Sequence, residues 1–151
     1  MNHYTKIAIL GGGGRTGQFI VNQLIEKGYN LRILLRNLDG FSITSPQIEL
    51  IQGDALDAHI IDSLLDGCDA VINTISQRKG EPLVASQAGI YILDAMKKHG
   101  IKRYFVVAGL NLDTPFDKKS ERTEMATAWM KANFPIIHAD RQQNYDLLAS
   151  S

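Results

Sequence analysis

Four consecutive glycines at residues 11–14 constrain this chain more than any other feature of it. Ahead of them Ile7, Ala8, Ile9 and Leu10 form a short apolar run with β-branched residues, long enough for one buried strand. After them come Arg15, Thr16 and Gly17, and then Ile20, Val21, Leu24 and Ile25 at the spacing that puts apolar residues on one face of a helix. The glycines therefore sit where a strand ends and a helix begins. The first amide N–H groups of a helix lack partners within it, and its dipole is positive there, so such a bend is a seat for a phosphate. A plain turn needs only one or two glycines, and four in a row are costly in backbone entropy. Gly12, Gly14 and Gly17 fit G-x-G-x-x-G, and Gly11, Gly14 and Gly17 fit the looser G-x-x-G-x-x-G. In a loop of this kind the first glycine permits a tight turn and the second admits a diphosphate to the backbone. The third lets the helix lie close to the strand.

The rest of the chain alternates strand and helix signals. The first helix should run over residues 15–27 and stop at Gly28. A second strand over 31–35 ends at Arg36, and Asn37, Asp39, Gly40, Ser42 and Pro46 mark a loop. A short third strand over 48–51 is closed by Gly53-Asp54, and Asp57 caps a helix carrying Ile60, Ile61, Leu64 and Leu65. A fourth strand over 70–75 leads through a polar loop to a helix over 83–98, with Val84, Ala88, Ile92 and Ala95 or Met96 as its stripe. A fifth strand follows over 103–108. Beyond Pro115 the spacing predicts a helix over 118–132 with Met125 and Trp129 on its apolar face. A break at Phe134-Pro135 follows, then a last helix over 140–149. Such alternation specifies an α/β fold, a doubly wound parallel sheet of Rossmann type in one domain over 1–151. The expected strand order is 3-2-1-4-5, with a ligand in the crevice where that order reverses. A sixth strand, usual in such sheets, has no counterpart in the sequence, so a bare edge is expected, and with it either self-association into a homo-oligomer or a disordered tail.

Composition narrows the partners. Sixteen basic residues balance sixteen acidic ones, which argues against nucleic acid or an acidic membrane surface. The one cysteine, Cys68, rules out a disulfide framework. The apolar run before the glycines is too short for the core of a secretory leader, so the cytoplasm is the expected compartment. His3, His59, His99 and His138 are scattered without ligand spacing, so no metal site is expected.

The end of the second strand bears on which dinucleotide fits. NAD binders place an Asp or Glu there, about 20 residues past the glycines, to hold the ribose 2′-hydroxyl. Here Arg36 occupies that place, and a guanidinium suits a 2′-phosphate. Arg15 is a second charge within reach of the same group, and the cofactor expected is NADP(H). Asp54, with Ala55 beside it, either accepts from the adenine amino group or is an ordinary turn aspartate. Thr74, Ile75 and Ser76 end the fourth strand, and Ala108 and Gly109 end the fifth. By position the first three line the ribose–nicotinamide side, and Ala108 and Gly109 are further cofactor-binding candidates.

With these residues placed, the chain resembles the atypical short-chain dehydrogenase/reductase superfamily, in its NAD(P)H-binding branch of NmrA-like and biliverdin/flavin reductase-like proteins. The resemblance rests on GGGGRTG (11–17), LLRN (34–37), GDALD (53–57), GCDAVINTI (67–75) and KRYFVVAGL (102–110). It implies NADP(H) binding and, in some members, reduction of flavins or quinones. It also implies a sixth strand and a small substrate segment that this sequence does not contain. Carbonyl-reducing members use Tyr-x-x-x-Lys, and no lysine here has a tyrosine four residues earlier. The serine often found after the fifth strand is replaced by Ala108-Gly109-Leu110. No catalytic residue is assigned, but hydride transfer to a flat flavin or quinone, with a solvent proton, needs only alignment. The other reading is a non-catalytic module that senses NADP(H) and binds a protein partner. Tyr145 faces either the pocket or the packing, and Lys118 and Lys119 either meet an acceptor or are solvated.

Overall fold

The computed structural model describes residues 6–151. Five parallel strands make one sheet: β1 (Lys6–Leu10), β2 (Asn30–Leu35), β3 (Ile48–Gln52), β4 (Ala70–Asn73) and β5 (Tyr104–Val106). Their order is β3-β2-β1-β4-β5, the order expected from the sequence. Five helices accompany them: α1 (Arg15–Glu26), α2 (Ala58–Leu65), α3 (Ala85–His99), α4 (Glu121–Asn133) and α5 (Pro135–Ala149).

Strand alternation splits the core into two layers. Ile7 and Ile9 of β1 join Leu31, Ile33 and Leu35 of β2 and pack on Val21 of α1. Ala8 and Leu10 point to the other face, with Val71, Ile61, Leu64 and Leu65 of α2 and Ala88, Ile92 and Ala95 of α3. Each fully buried Ile or Leu contributes about 1.5–3 kcal/mol, and β1, buried on both faces, is therefore fixed in the middle of the sheet. That fixes the glycine bend at the switch point between β1 and β4.

Local chemistry sets the element ends. Asp57 caps α2 by accepting from the His59 and Ile60 amides. β4 stops at Asn73, short of the expected residue 75, because the Asn73 carboxamide oxygen accepts the Ile75 N–H at 2.9 Å and turns the chain out of the ladder. The start of α3 has no cap of its own. Asp140 supplies one from α5, accepting from the Ala85 N–H at 2.9 Å, the Ser86 N–H at 3.2 Å and the Ser86 hydroxyl.

Two expectations for the last third are corrected. Met125 and Trp129, read as a buried face, are 69% and 58% exposed, and Thr127 is the buried residue of α4. Helix α4 lies against α5 rather than on the sheet, so helical spacing there had no core to report on. Trp129 instead meets Phe134, ring centroids 5.6 Å apart. The break at Phe134-Pro135 is a start as well as a stop: Pro135 takes the first position of α5, where no N–H is needed. At the far edge of the sheet β5 pairs with β4 alone, and Phe105, Val107 and Leu110 are exposed beside it. No helix among the described residues is long and apolar enough to cross a membrane.

Candidate functional site: the crevice above β1 and β4

The glycines divide their work. Gly11 has φ +78°, and a Cβ there would lie 2.6 Å from Thr74 Oγ1 and 2.8 Å from the Ile75 nitrogen. A Cβ on Gly12 would come within 2.6 Å of Ile33 Cγ2, and one on Gly17 within 2.0 Å of the Gly11 carbonyl oxygen. These three are demanded by the protein's own contacts. Gly14 is not: its backbone is extended, and a Cβ would meet only the Gly11 oxygen, at an ordinary 3.4 Å. Gly14 lines an open cleft instead. The Gly14 N–H donates to the Gly11 oxygen at 3.0 Å. Thr74 Oγ1 donates to the carbonyls of Leu10 and Gly11, at 3.1 and 3.0 Å. Thr74 thus pins the bend to the end of β4.

Helices α2 and α4 start under Asp57 and Ser120, and α3 under Asp140. No side chain caps α1, and its first turn carries no acid. An uncapped helix start beside an open cleft that Gly14 lines without a Cβ fits a diphosphate, which needs amide donors and room to approach them.

The cleft is about 700 Å³ and runs from Gly11, Gly13 and Gly14 past Arg36, Asp54 and Ala55. Arg36 makes a two-pronged ion pair with Glu81, at 2.9 and 3.1 Å, and that hydrogen bonding raises its pKa further. Glu81 was invisible as a site residue in the sequence, since only folding of the loop after β4 carries it to the end of β2. Arg78, from the same loop, also lines the cleft. Asp54 accepts the Leu56 N–H at 2.9 Å through one carboxylate oxygen, a local turn that leaves the other oxygen open. Arg15 is exposed and lines neither this cleft nor the cavity beyond it.

Thr74, Ile75, Ser76 and Val84 are shared with that second cavity, of about 280 Å³. Thr16, Ala108 and Gly109 line it, and α5 contributes Arg141, Asn144, Tyr145 and Leu148. Tyr145 therefore faces the pocket, and Arg141 and Asn144 are site residues that sequence reasoning missed. Their spacing with Tyr145 and Leu148, one face of α5, was the available signal. Lys119 is not free for an acceptor: its ammonium donates to the Leu112 carbonyl at 2.6 Å and to Asp117 at 2.7 Å. Lys118 is exposed and lines neither space.

Cys68, Tyr104, His59, His99 and His138 line neither space. The Cys68 thiol is buried, donates to the Leu64 carbonyl at 3.4 Å, and is pushed up to about 11 by desolvation. Burial also raises the Tyr104 phenol, which accepts from Asn73 Nδ2 at 3.0 Å. His99 pairs with Asp62 at 2.9 Å, and His138 Nδ1 lies 2.9 Å from Asn111 Nδ2. His59 is exposed, and His3 lies outside the described residues. No cluster of three metal-ligating side chains occurs among the described residues.

The family model described as NAD(P)H-binding matches residues 11–151. Cinnamoyl-CoA reductase 2 of Arabidopsis thaliana is 28% identical over 109 residues, which is 64% of this chain and 33% of that protein. A short-chain dehydrogenase/reductase from Veillonella parvula, in complex with NADP, shares the fold with a TM-score of 0.74 at 18% identity. The match covers 98% of this chain and 65% of that one. An anaerobillin reductase from Escherichia coli O157:H7 superposes with a TM-score of 0.75 at 20% identity, over 97% of this chain and 68% of that one. The chain thus spans about a third of that curated relative and about two thirds of these solved structures.

Proposed function

Because the chain belongs to the NAD(P)H-binding family, we propose that it is a reductase that uses NADP(H) to reduce a flat acceptor such as a flavin or quinone. One observation carries this reading. The cleft under the glycine bend and the cavity under α5 meet at Thr74, Ile75 and Ser76, so a dinucleotide lying in the first presents its far end to the second.

When bound, the nicotinamide supplies a hydride. With a flavin the balance is NADPH, flavin and one solvent proton giving NADP⁺ and the reduced flavin. The protein's part is to bind and align. The bare amides at the start of α1 hold the diphosphate, and Thr74 keeps the bend in place for it. Ala108 and Gly109 put only small groups on the cavity wall they line, which leaves room for a flat ring. No tyrosine–lysine pair stands there to relay a proton, which suits an acceptor whose delocalised ring takes hydride and draws its proton from water.

Preference for NADP(H) over NAD(H) falls to Arg36. A 2′-phosphate offers it the same two-pronged anion that Glu81 now provides, and Arg78 adds charge at the same wall. Calorimetry with NADPH and NADH tests this: NADPH should bind at least about tenfold more tightly, and Arg36→Ala should remove the difference. Equal affinities in the wild-type protein would end the assignment. Turnover is read from loss of reduced-nicotinamide absorbance with FMN or a quinone. Tight NADPH binding with no oxidation above background would favour the sensing module over the reductase.

A further inference from the structure

Arg141 differs from the other arginines that lack a partner among the described residues: Arg15, Arg78 and Arg122 are exposed to solvent, and Arg141 is not. Arg32 pairs with Glu49 at 2.8 and 2.9 Å, and Arg36 pairs with Glu81. Arg141 is half-buried on the wall of the second cavity, and its guanidinium has no hydrogen bond or ion pair among the described residues. Among the described residues, no acidic side chain lines that cavity and Arg141 is its one charged residue. The nearest carboxylates along the chain are engaged elsewhere, Asp140 at the start of α3 and Asp146 with Gln142. A partly buried cation without a counter-ion is costly unless a ligand supplies one.

Asn144, one turn along α5, adds a second unmet group. It is 7% exposed, and its carboxamide oxygen is buried without a partner. That oxygen is wedged against Gly89, where a Cβ would lie 2.0 Å away. The NH₂ end, which makes no bond within the protein, is then the donor left for a ligand.

We propose that Arg141, assisted by Asn144, selects acceptors that carry an anionic group, a phosphate or a carboxylate, and holds that group at the α5 wall of the cavity. This rests on the reductase reading for the identity of the cavity. The dinucleotide's own phosphates belong at the glycine bend, which lines the other cleft, so Arg141 has no role in holding them.

FMN and riboflavin share one ring and differ by a phosphate, so their ratio isolates the anion. Both are titrated against the full chain with saturating NADP⁺, by quenching of flavin fluorescence. FMN should bind about 10- to 100-fold more tightly than riboflavin, as one charge-assisted, two-pronged contact warrants. Arg141→Gln should bring that ratio close to one, Arg141→Lys should keep part of it, and NADPH affinity should hold in both. The wild-type ratio should also shrink as salt is raised, a reading that needs no variant to fold. A wild-type ratio near one, an unaltered ratio in Arg141→Gln, or a loss of NADPH affinity matching the loss of FMN would each overturn the assignment. The two readings fail separately. A preference for FMN with no NADPH oxidation sinks the reductase and leaves Arg141 as an anion site. Oxidation of NADPH with equal use of both flavins does the reverse.

Discussion

Alanine at Gly14 and at Gly17 separates binding from folding within one loop. At Gly14 the backbone has φ −77° and ψ 170°, which alanine adopts freely, and its Cβ would meet only the Gly11 oxygen at 3.4 Å. Alanine is poorer than glycine as an N-cap by about 1 kcal/mol. The stiffer unfolded chain returns about 0.4–1 kcal/mol. The two nearly cancel, so Gly14→Ala should melt close to the wild type. Its methyl group, however, stands where the proposed diphosphate would approach. Losing one charge-assisted amide contact, about 1.5–3 kcal/mol, should weaken NADPH binding by about 10- to 100-fold. At Gly17 the balance inverts. The Cβ would lie 2.0 Å from the Gly11 oxygen, and that oxygen is held by the Gly14 N–H and by Thr74 Oγ1. Overpacking of this kind costs about 1–3 kcal/mol and occasionally more, which exceeds the gain of about 1 kcal/mol from alanine in a helix. Gly17→Ala should therefore lose stability and cofactor affinity together. Urea unfolding and NADPH calorimetry on both variants read all four outcomes. A Gly14→Ala protein that folds and binds NADPH like the wild type would refute the diphosphate seat.

Other expectations follow from neighbouring contacts. Glu81→Gln frees Arg36 from a half-exposed ion pair worth about 0–1 kcal/mol, so NADPH affinity should rise by up to about fivefold with NADH little altered, again by calorimetry. Cys68 has a folded-state pKa raised from 9.0 to about 11. A raised value means stability complete below the unfolded pKa and lost as pH climbs from there to the folded one. Unfolding measured from pH 9 upward should show a loss of up to roughly 3 kcal/mol, and Cys68→Ala should flatten that slope. Asp140→Ala strips the cap from α3 and should destabilise by about 1–2 kcal/mol, with Asp140→Asn milder, both by thermal melting. The exposed β5 edge should drive concentration-dependent association that Phe105→Lys weakens, as sedimentation would show.

What the sequence disclosed followed from how locally each feature is determined. The strand order was legible because β1 is apolar on both faces and its neighbours alternate with helices, a pattern that admits few topologies. The spacing of the glycines was legible because Gly11 answers to the end of β4, Gly12 to Ile33 of β2 and Gly17 to the Gly11 carbonyl of the bend itself. Met125 and Trp129 misled because periodicity records a face without recording what covers it, and α4 touches α5 rather than the sheet. Glu81 could not be seen at all, since its partner Arg36 lies 45 residues away and only the path of the loop after β4 joins them. Asp140 and Arg141 make the same point within two adjacent residues. In sequence they are an acid and a base side by side, a pair any reader would neutralise. Helical geometry turns them about 100° apart, so the carboxylate closes the open end of α3 while the guanidinium is left facing a cavity without a counter-charge. The charge that the sequence balances locally is, in the fold, unbalanced at the α5 wall of the cavity, where we have proposed that an anionic acceptor is held.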